Sequence, residues 1–386
     1  DDMLGLARKL LAQQWILRGH ADRAGVEMAL AHHDAALDHQ RRSREAELIG
    51  TEQGPDDNVS TGLHLAIDLH RVALDGTITT LGGELPEMPG LDLRGVFIGS
   101  EGTLGIATAI TLRLLRTPAS VAVLLADFPS MEAAGEAVRR VTGAGVLPAG
   151  MEMMDRPAIH AAEAFVQAGY PLDAEALLIV EVDGPPAECD HLVAEIERLA
   201  MRNAAESCRS SSSEAERLRF WAGRKAAFPA VSRIAPDYYC MDGTIPRRRL
   251  PEVLQRIRAL SEHYGLGVAN VFHAGDGNLH PLILYDANQP GQLEAAEEFG
   301  NDILRLCVEV GGVLTGEHGV GIEKRDLMPE MFSTDDLAHQ ERVKCAFDPK
   351  QLLNPGKVFP TLHRCAELGR VHVHGGVVRF PELPRF

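Results

Sequence analysis

The sequence predicts an α+β protein built around an antiparallel sheet. Residues 119–315 alternate strand and helix patterns in an order that suits this class. Two pairs of apolar runs also flank turn sequences. Leu69–Leu74 and Thr77–Leu81 enclose Asp75-Gly76, a type I′ turn signal. Leu266–Phe272 and Leu279–Tyr285 enclose Ala274-Gly-Asp-Gly-Asn278. A hairpin makes its two strands antiparallel neighbours.

Taken in order, residues 1–57 read as helix. Apolar positions recur at helical spacing in Met3–Leu17, and charges lie along one side of Val26–Ile49, so His32, His33 and His39 fall on a solvated face. Thr51–Gly62 is a polar break around Gly54-Pro55. After the first hairpin, the Gly-rich stretch Leu91–Ile106 leads into a strand over Thr108–Leu115, and Pro118 marks a boundary. Beyond it the patterns give strand 121–128, helix 130–142, helix 156–168, strand 176–183 and helix 187–203. They continue with helix 214–228, strand 237–245, helix 248–263, the second hairpin and a long helix 292–311. No internal repeat is visible. Two short helices follow Lys324, and Asp348-Pro349 and Asn354-Pro355-Gly356 punctuate the loop after them. The polar, Pro-rich tail with His372 and His374 suits partner docking better than a core element. The chain thus divides into 1–62, 63–118, 119–323 and 324–386.

Composition narrows the function classes. With 45% hydrophobic and 24% charged residues over 386 positions, the chain can bury a sizeable core. A net charge of −17 argues against nucleic acid, which needs a basic face. No apolar run reaches the length of a membrane span and no signal-peptide pattern opens the chain, so a cytoplasmic protein is expected. Cys189, Cys208, Cys240, Cys307, Cys345 and Cys365 form no CxxC and read as reduced thiols.

The densest chemistry lies at the second hairpin. His273 ends one strand and His280 begins the next, so both imidazoles can face one pocket above the turn. Thr315-Gly-Glu-His-Gly-Val-Gly-Ile-Glu-Lys324 then presents Glu317 and His318 from a Gly-rich loop. Two His and a carboxylate with one position open suit a catalytic divalent metal such as zinc. His318, beside the ligands but free, suits a general base. On spacing alone, ordinary loop histidines and a solvated Glu-His pair remain an alternative. Gly99, Gly102 and Gly105 recur every three residues, which lets backbone N–H groups approach an anion, although a plain Gly-rich turn fits the same spacing.

NVFHAGDGNLHP (270–281) and TGEHGVGIEK (315–324) resemble the paired signatures of the FAD-linked D-2-hydroxyacid dehydrogenases, flavoproteins of the vanillyl-alcohol-oxidase (VAO/PCMH) type. GSEGTLGI (99–106) is similar to that family's flavin-diphosphate loop, and LLNPGK (352–357) to its closing motif. The resemblance covers most of the chain from the first hairpin onward. It implies a partial FAD-binding domain, a ferredoxin-like α+β cap with an antiparallel sheet, and C-terminal helices returning to the FAD domain. It assigns a divalent metal, zinc or manganese, to His273, His280 and Glu317, with His318 as the catalytic base. FAD would contact Gly99, Ser100, Glu101, Gly102, Thr103, Gly105, Ile106 and Asn354. Arg224, in Trp221-Ala-Gly-Arg-Lys-Ala226, would bind the substrate carboxylate bidentately. Cys240 stands where relatives acting on larger hydroxy acids often carry Lys, which implies glycolate or D-lactate. AGRKAAFPAVSRIAPDYYCMDGTIPRR (222–248) narrows the resemblance to the glycolate-oxidase branch. There the flavoprotein works beside a second flavin-domain subunit and an iron–sulfur subunit, which implies peripheral attachment at the inner face of the membrane through those partners. Residues 1–62 depart from the pattern: they hold neither the Gly-rich loop nor the GGN-type segment of the N-terminal flavin subdomain. That subdomain reads as truncated or replaced, and FAD binding by this polypeptide alone is expected to be weak. A flavin-deficient interaction subunit and a flavin-free, hydrolase-like metal protein are the two other classes the sequence allows.

Overall fold

The computed structural model describes residues 66–73, 76–83, 90–112 and 117–360. The expected helices of 1–57, the break ending at Gly62, and the tail with Cys365, His372 and His374 lie outside the described residues. The chain divides into two compact units, 1–114 with 341–356 and 362–386, and 115–340 with 357–361.

In the first unit, β1 (Ala66–Val72), β2 (Ile78–Gly82) and β3 (Ile106–Leu112) form an antiparallel sheet in the order β2-β1-β3. Val72 faces Ile78 and Asp68 faces Gly82, so the hairpin read around Asp75-Gly76 forms. The Gly-rich stretch is not all loop. A one-turn helix, α1 (Leu93–Phe97), starts where the Asp92 carboxylate accepts from Gly95 N at 3.0 Å. Leu69, Leu81, Phe97 and Leu104 form the small core.

The second unit is organised by a seven-stranded sheet. Its elements are β4 (Ser120–Phe128), α2 (Met131–Gly143), β5 (Gly150–Asp155), α3 (Arg156–Val166), β6 (Ala176–Gly184), α4 (Pro186–Arg202) and β7 (Ser207–Ser210). They continue with α5 (Glu214–Val231), β8 (Asp237–Cys240), β9 (Gly243–Thr244), α6 (Leu250–Tyr264), β10 (Val268–Phe272), β11 (Asn278–Leu279), β12 (Pro281–Tyr285) and α7 (Gln292–Glu309). After α8 (Met328–Met331), α9 (Thr334–Phe347) carries the chain toward the first unit's C-terminal segment. The strand order is β7-β4-β6-β5-β10-β12-β8, antiparallel throughout.

Both faces of this sheet are covered, which explains why its strands are apolar without alternation. On β4, Leu124, Ala126 and Phe128 face a core shared with α2, α4, α6 and α7. Val123 and Leu125 face a second core under α3 and α5. α2 shows the matching helical spacing: Ala134, Ala137, Val138 and Val141 are buried, and Ser130 caps it through Ala133 N at 3.1 Å.

The wiring repeats. β4-α2-β5-β6-α4-β7, with α3 inserted between the second and third strands, has the order fourth-first-third-second. This is the ferredoxin-like arrangement. β8-α6-β10-β12-α7 follows the same path without a fourth strand. The halves join through their second strands, β5 and β10. The α+β, ferredoxin-like expectation therefore holds, whereas the absence of an internal repeat is corrected at the level of topology. Two strands, β5 and β7, were not anticipated. The single strand expected over 237–245 is broken, because Met241 and Asp242 leave the ladder so that Asp242 is fully buried. Cys189, Cys208, Cys240 and Cys307 are free thiols, but Cys345 is disulfide-bonded, which corrects the reduced-thiol reading there. Among the described residues no helix is long and apolar enough to cross a membrane.

Candidate metal and substrate site

The second hairpin forms through Asn270↔Pro281, Ala269↔Leu282 and Val268↔Ile283. Its turn is held shut by His273 N donating to Asn278 O at 3.0 Å. Gly277 has φ +79° and a Cβ there would lie 2.2 Å from Ile245 O, so this position needs glycine. The turn brings the two imidazoles side by side, with ring centroids 5.1 Å apart.

Each ring is fixed from behind. His280 Nδ1 meets Met241 O at 3.1 Å, and His273 Nδ1 meets Glu152 Oε1 at 2.9 Å. Both acceptors require a proton on Nδ1, so both Nε2 atoms point to the opposite side. There they converge on Glu317 Oε1, at 2.8 Å from His280 and 3.5 Å from His273. These separations bracket the roughly 3.3 Å expected between ligand atoms about 2.0–2.1 Å from a tetrahedral zinc ion. The three side chains have the donor types a divalent cation takes, but among the described residues His273 belongs to no group of donor atoms lying within 4.8 Å of one another, so a cation would have to draw His273 toward His280 and Glu317. His318 stacks on His280 with centroids 5.0 Å apart, and its Nε2 lies 3.8 Å from Glu317 Oε1.

The loop carrying Glu317 and His318 is latched by Asp242. Its carboxylate accepts from Thr315 Oγ1 (2.6 Å), Gly316 N (3.1 Å), Glu317 N (3.1 Å) and His318 N (3.0 Å). Lys324 Nζ, also buried, adds an ion pair at 2.8 Å. Asp242, His280, Glu317 and His318 bring donor atoms within 4.8 Å of one another, as do Cys240, His280 and His318. Asp242 is fully engaged by these donors and is a poor ligand. Burial pushes the Cys240 thiol up to about 12, so it stays protonated and is no better.

α5 forms the other wall. Arg224 and Phe228, one turn apart, reach Glu152 and His280 respectively. Arg224 Nε donates to Glu152 Oε2 at 2.9 Å. Its Nη2 lies 2.8 Å from the same oxygen as an ion pair, but is buried without a hydrogen-bond partner.

The charges are strongly coupled. Hydrogen bonds from His273 and His280 hold the Glu317 carboxyl far below the usual range, against burial. Burial opposes a charge on His273, but its bonds to Glu152 and Glu317 win and raise it to about 9. Burial pushes Glu152 up, yet the Arg224 charge and His273 keep it ionised. Burial lowers His318, which favours the neutral imidazole a proton acceptor needs.

The positions expected to touch FAD lie in the first unit. Gly99, Glu101 and Gly102 adopt φ of 80°, 52° and 73°, a run of left-handed residues that exposes backbone to an anion. Gly105, at φ 153°, passes against Arg71 and Phe97. Thr103 turns back on Ser100 O at 2.6 Å, and Ile106 opens β3. Asn354 Nδ2 donates to Glu101 O at 2.6 Å, joining the closing motif to this loop. These residues suit one wall of a flavin-diphosphate site. Sequence reasoning missed Glu152, Asp242 and Lys324. The only signal for Asp242 and Lys324 was their place beside the motifs, and Glu152 had none.

Residues 117–358, more than half of the chain, match the family described as "FAD linked oxidases, C-terminal domain". The chain belongs to the FAD-linked oxidases. It is 54% identical over 324 residues to "Glycolate oxidase subunit GlcD" of Escherichia coli K12, covering 84% of this chain and 65% of that protein. It is 33% identical over 294 residues to the Bacillus subtilis protein of the same name, covering 76% and 63%. It is 32% identical over 301 residues to the "Probable D-lactate dehydrogenase, mitochondrial" of Danio rerio, covering 76% and 60%. This FAD-linked oxidase chain thus spans just under two thirds of the length of these relatives. The fold is shared with 4-ethylphenol oxidase from Gulosibacter chungangensis (TM-score 0.59, 16% identity, 76% of this chain and 66% of that one). It is shared equally with p-cresol methylhydroxylase (TM-score 0.59, 14% identity, 76% and 65%). Both neighbours bear out the VAO/PCMH-type expectation.

Proposed function

We propose that this chain is the substrate- and metal-holding part of an FAD-dependent enzyme that oxidises a small D-2-hydroxy acid, glycolate to glyoxylate or D-lactate to pyruvate. The observation that carries the reading is the convergence of His273 Nε2, His280 Nε2 and Glu317 Oε1 beside a neutral His318. Zinc or manganese held there would supply Lewis-acid polarisation of the substrate hydroxyl, and FAD, when bound, the two-electron oxidation. The protein groups supply the rest. Arg224, held by Glu152 through Nε and Nη2, is the cation that would meet the substrate carboxylate. His318 takes the hydroxyl proton, and the α-carbon gives up its hydrogen with both electrons, leaving the carbonyl product. Cys240 places no second cation beside the site, which suits a substrate with one carboxylate. The match to glycolate oxidase subunits supports assembly with other subunits; the partners implied by the resemblance, a second flavin-domain subunit and an iron–sulfur subunit, would hold this chain at the inner face of the membrane.

The test is elemental analysis and FAD titration of the purified chain, followed by glycolate and D-lactate turnover with partners and FAD supplied. About one divalent ion per chain is expected, lost in the His273→Ala/His280→Ala variant. FAD retention should be far below stoichiometric for the chain alone. Arg224→Ala should raise KM about 10- to 100-fold, the loss of one charged hydrogen bond. Full metal in the double variant overturns the ligand set, and an unchanged KM overturns the role of Arg224.

A further inference from the structure

We propose that Glu152 is a positioning residue that sets the metal ligand His273 and the substrate-binding Arg224 with a single carboxylate. The inference rests on the metal and substrate reading above. Glu152 lies on β5 between Met151 and Met153, which pack into the α2-side core, so its own side chain projects to the opposite face, under α5. Strand register puts it beside the site: Phe272 pairs with Met153, and His273 is the next residue along β10. The side chain is 11% exposed, and its two oxygens are divided between the two functional groups. Oε1 takes His273 Nδ1 at 2.9 Å, and Oε2 takes Arg224 Nε at 2.9 Å.

Two consequences follow from that division. Accepting the Nδ1 proton fixes the ring and leaves Nε2 as the coordinating atom, and a carboxylate behind an imidazole makes it a stronger donor. Glu152 Oε2 lies 2.9 Å from Nε and 2.8 Å from Nη2, so the carboxylate holds Arg224 by that edge and fixes the plane of the guanidinium. One anion thus fixes the spacing between the metal and the substrate carboxylate. His280 differs: the group that holds its Nδ1 at 3.1 Å is the backbone carbonyl of Met241, not a carboxylate.

Glu152→Gln separates positioning from mere packing. The amide has the same size but a single acceptor oxygen, so it cannot serve His273 and Arg224 together. Metal-stripped wild type and variant are titrated with zinc by calorimetry, and the metal-free forms are unfolded in urea. The expected result is zinc affinity weaker by about 10- to 100-fold in Glu152→Gln. Arg224→Met, which leaves the Glu152–His273 bond intact, should bind zinc within about threefold of wild type. If Glu152→Gln does not fold, Glu152→Gln/Arg224→Met removes the unpaired cation and should show the same zinc loss relative to Arg224→Met. Wild-type zinc affinity in the folded Glu152 variants, whatever their urea stability, overturns the proposal. A folded wild type that binds no zinc overturns the metal reading itself, and that result is separate because it is read on the unmodified chain.

Discussion

The two halves of the large sheet follow one path and do different work. In the first, the link between the second and third strands is α3, whose Ala158, Ile159 and Ala162 are buried. In the second, the same link is the turn carrying His273 and His280. The first half's link adds core, and the second half's link spends its residues on polar groups that must be satisfied one by one. Yet the site does not belong to the second half alone. Glu152 reaches it from β5, across the β5–β10 seam, and Arg224 comes from the helix between the halves. A duplicated scaffold can therefore place function at its junction, where residues of both copies meet.

The sharpest way to break the comparison is to unlatch the site. Asp242→Ala removes the acceptor of four hydrogen bonds and strands the buried Lys324 ammonium. A loss of about 3–5 kcal/mol in urea unfolding is expected, as for other broken buried pairs. A loss below about 1 kcal/mol would mean that the loop is held by something else. Next comes pH. His273 loses its proton near 6.5 in the unfolded chain and near 9 in the folded, metal-free chain. Between those values the folded state holds more protons, so stability should fall as pH rises through this window, by up to about 3 kcal/mol. Urea midpoints measured from pH 6 to pH 9.5 in the presence of a chelator check this, and His273→Gln should flatten the dependence. The smallest effect belongs to the first half's link. Gly169, with φ +81°, follows α3, and Gly169→Ala should cost about 1–2 kcal/mol. Zinc affinity should not change, and a change would show that the two links are coupled.

Much of the fold was legible, for identifiable reasons. The hairpin around 273–280 announced itself through apolar runs and a Gly-Asp-Gly-Asn turn, and α2 through its helical spacing. β5 did not: Gly-Met-Glu-Met-Met-Asp is a short run whose two carboxylates look like surface until their partners are known. Glu152 meets Arg224 and His273, 72 and 121 positions away, and such separations leave no local trace. The break in 237–245 was hidden because Tyr238-Tyr-Cys-Met241 reads as one apolar run, while a buried lysine far along the chain draws the following Asp242 inward. The repeat was invisible because it is one of path and not of residue type. For the site, His273, His280, Glu317 and His318 were readable because they sit in two compact motifs, but the groups that orient them were not.

The Asp242 latch bears on how a substrate enters. Three successive backbone N–H groups and a hydroxyl end on one buried carboxylate, so the segment bearing Glu317 and His318 cannot swing aside without exposing several unpaired donors at once. It acts as a fixed wall and not as a gate. Any molecule that reaches this wall has to approach on the side where His318 is nearly half exposed, with the loop as a stationary surface.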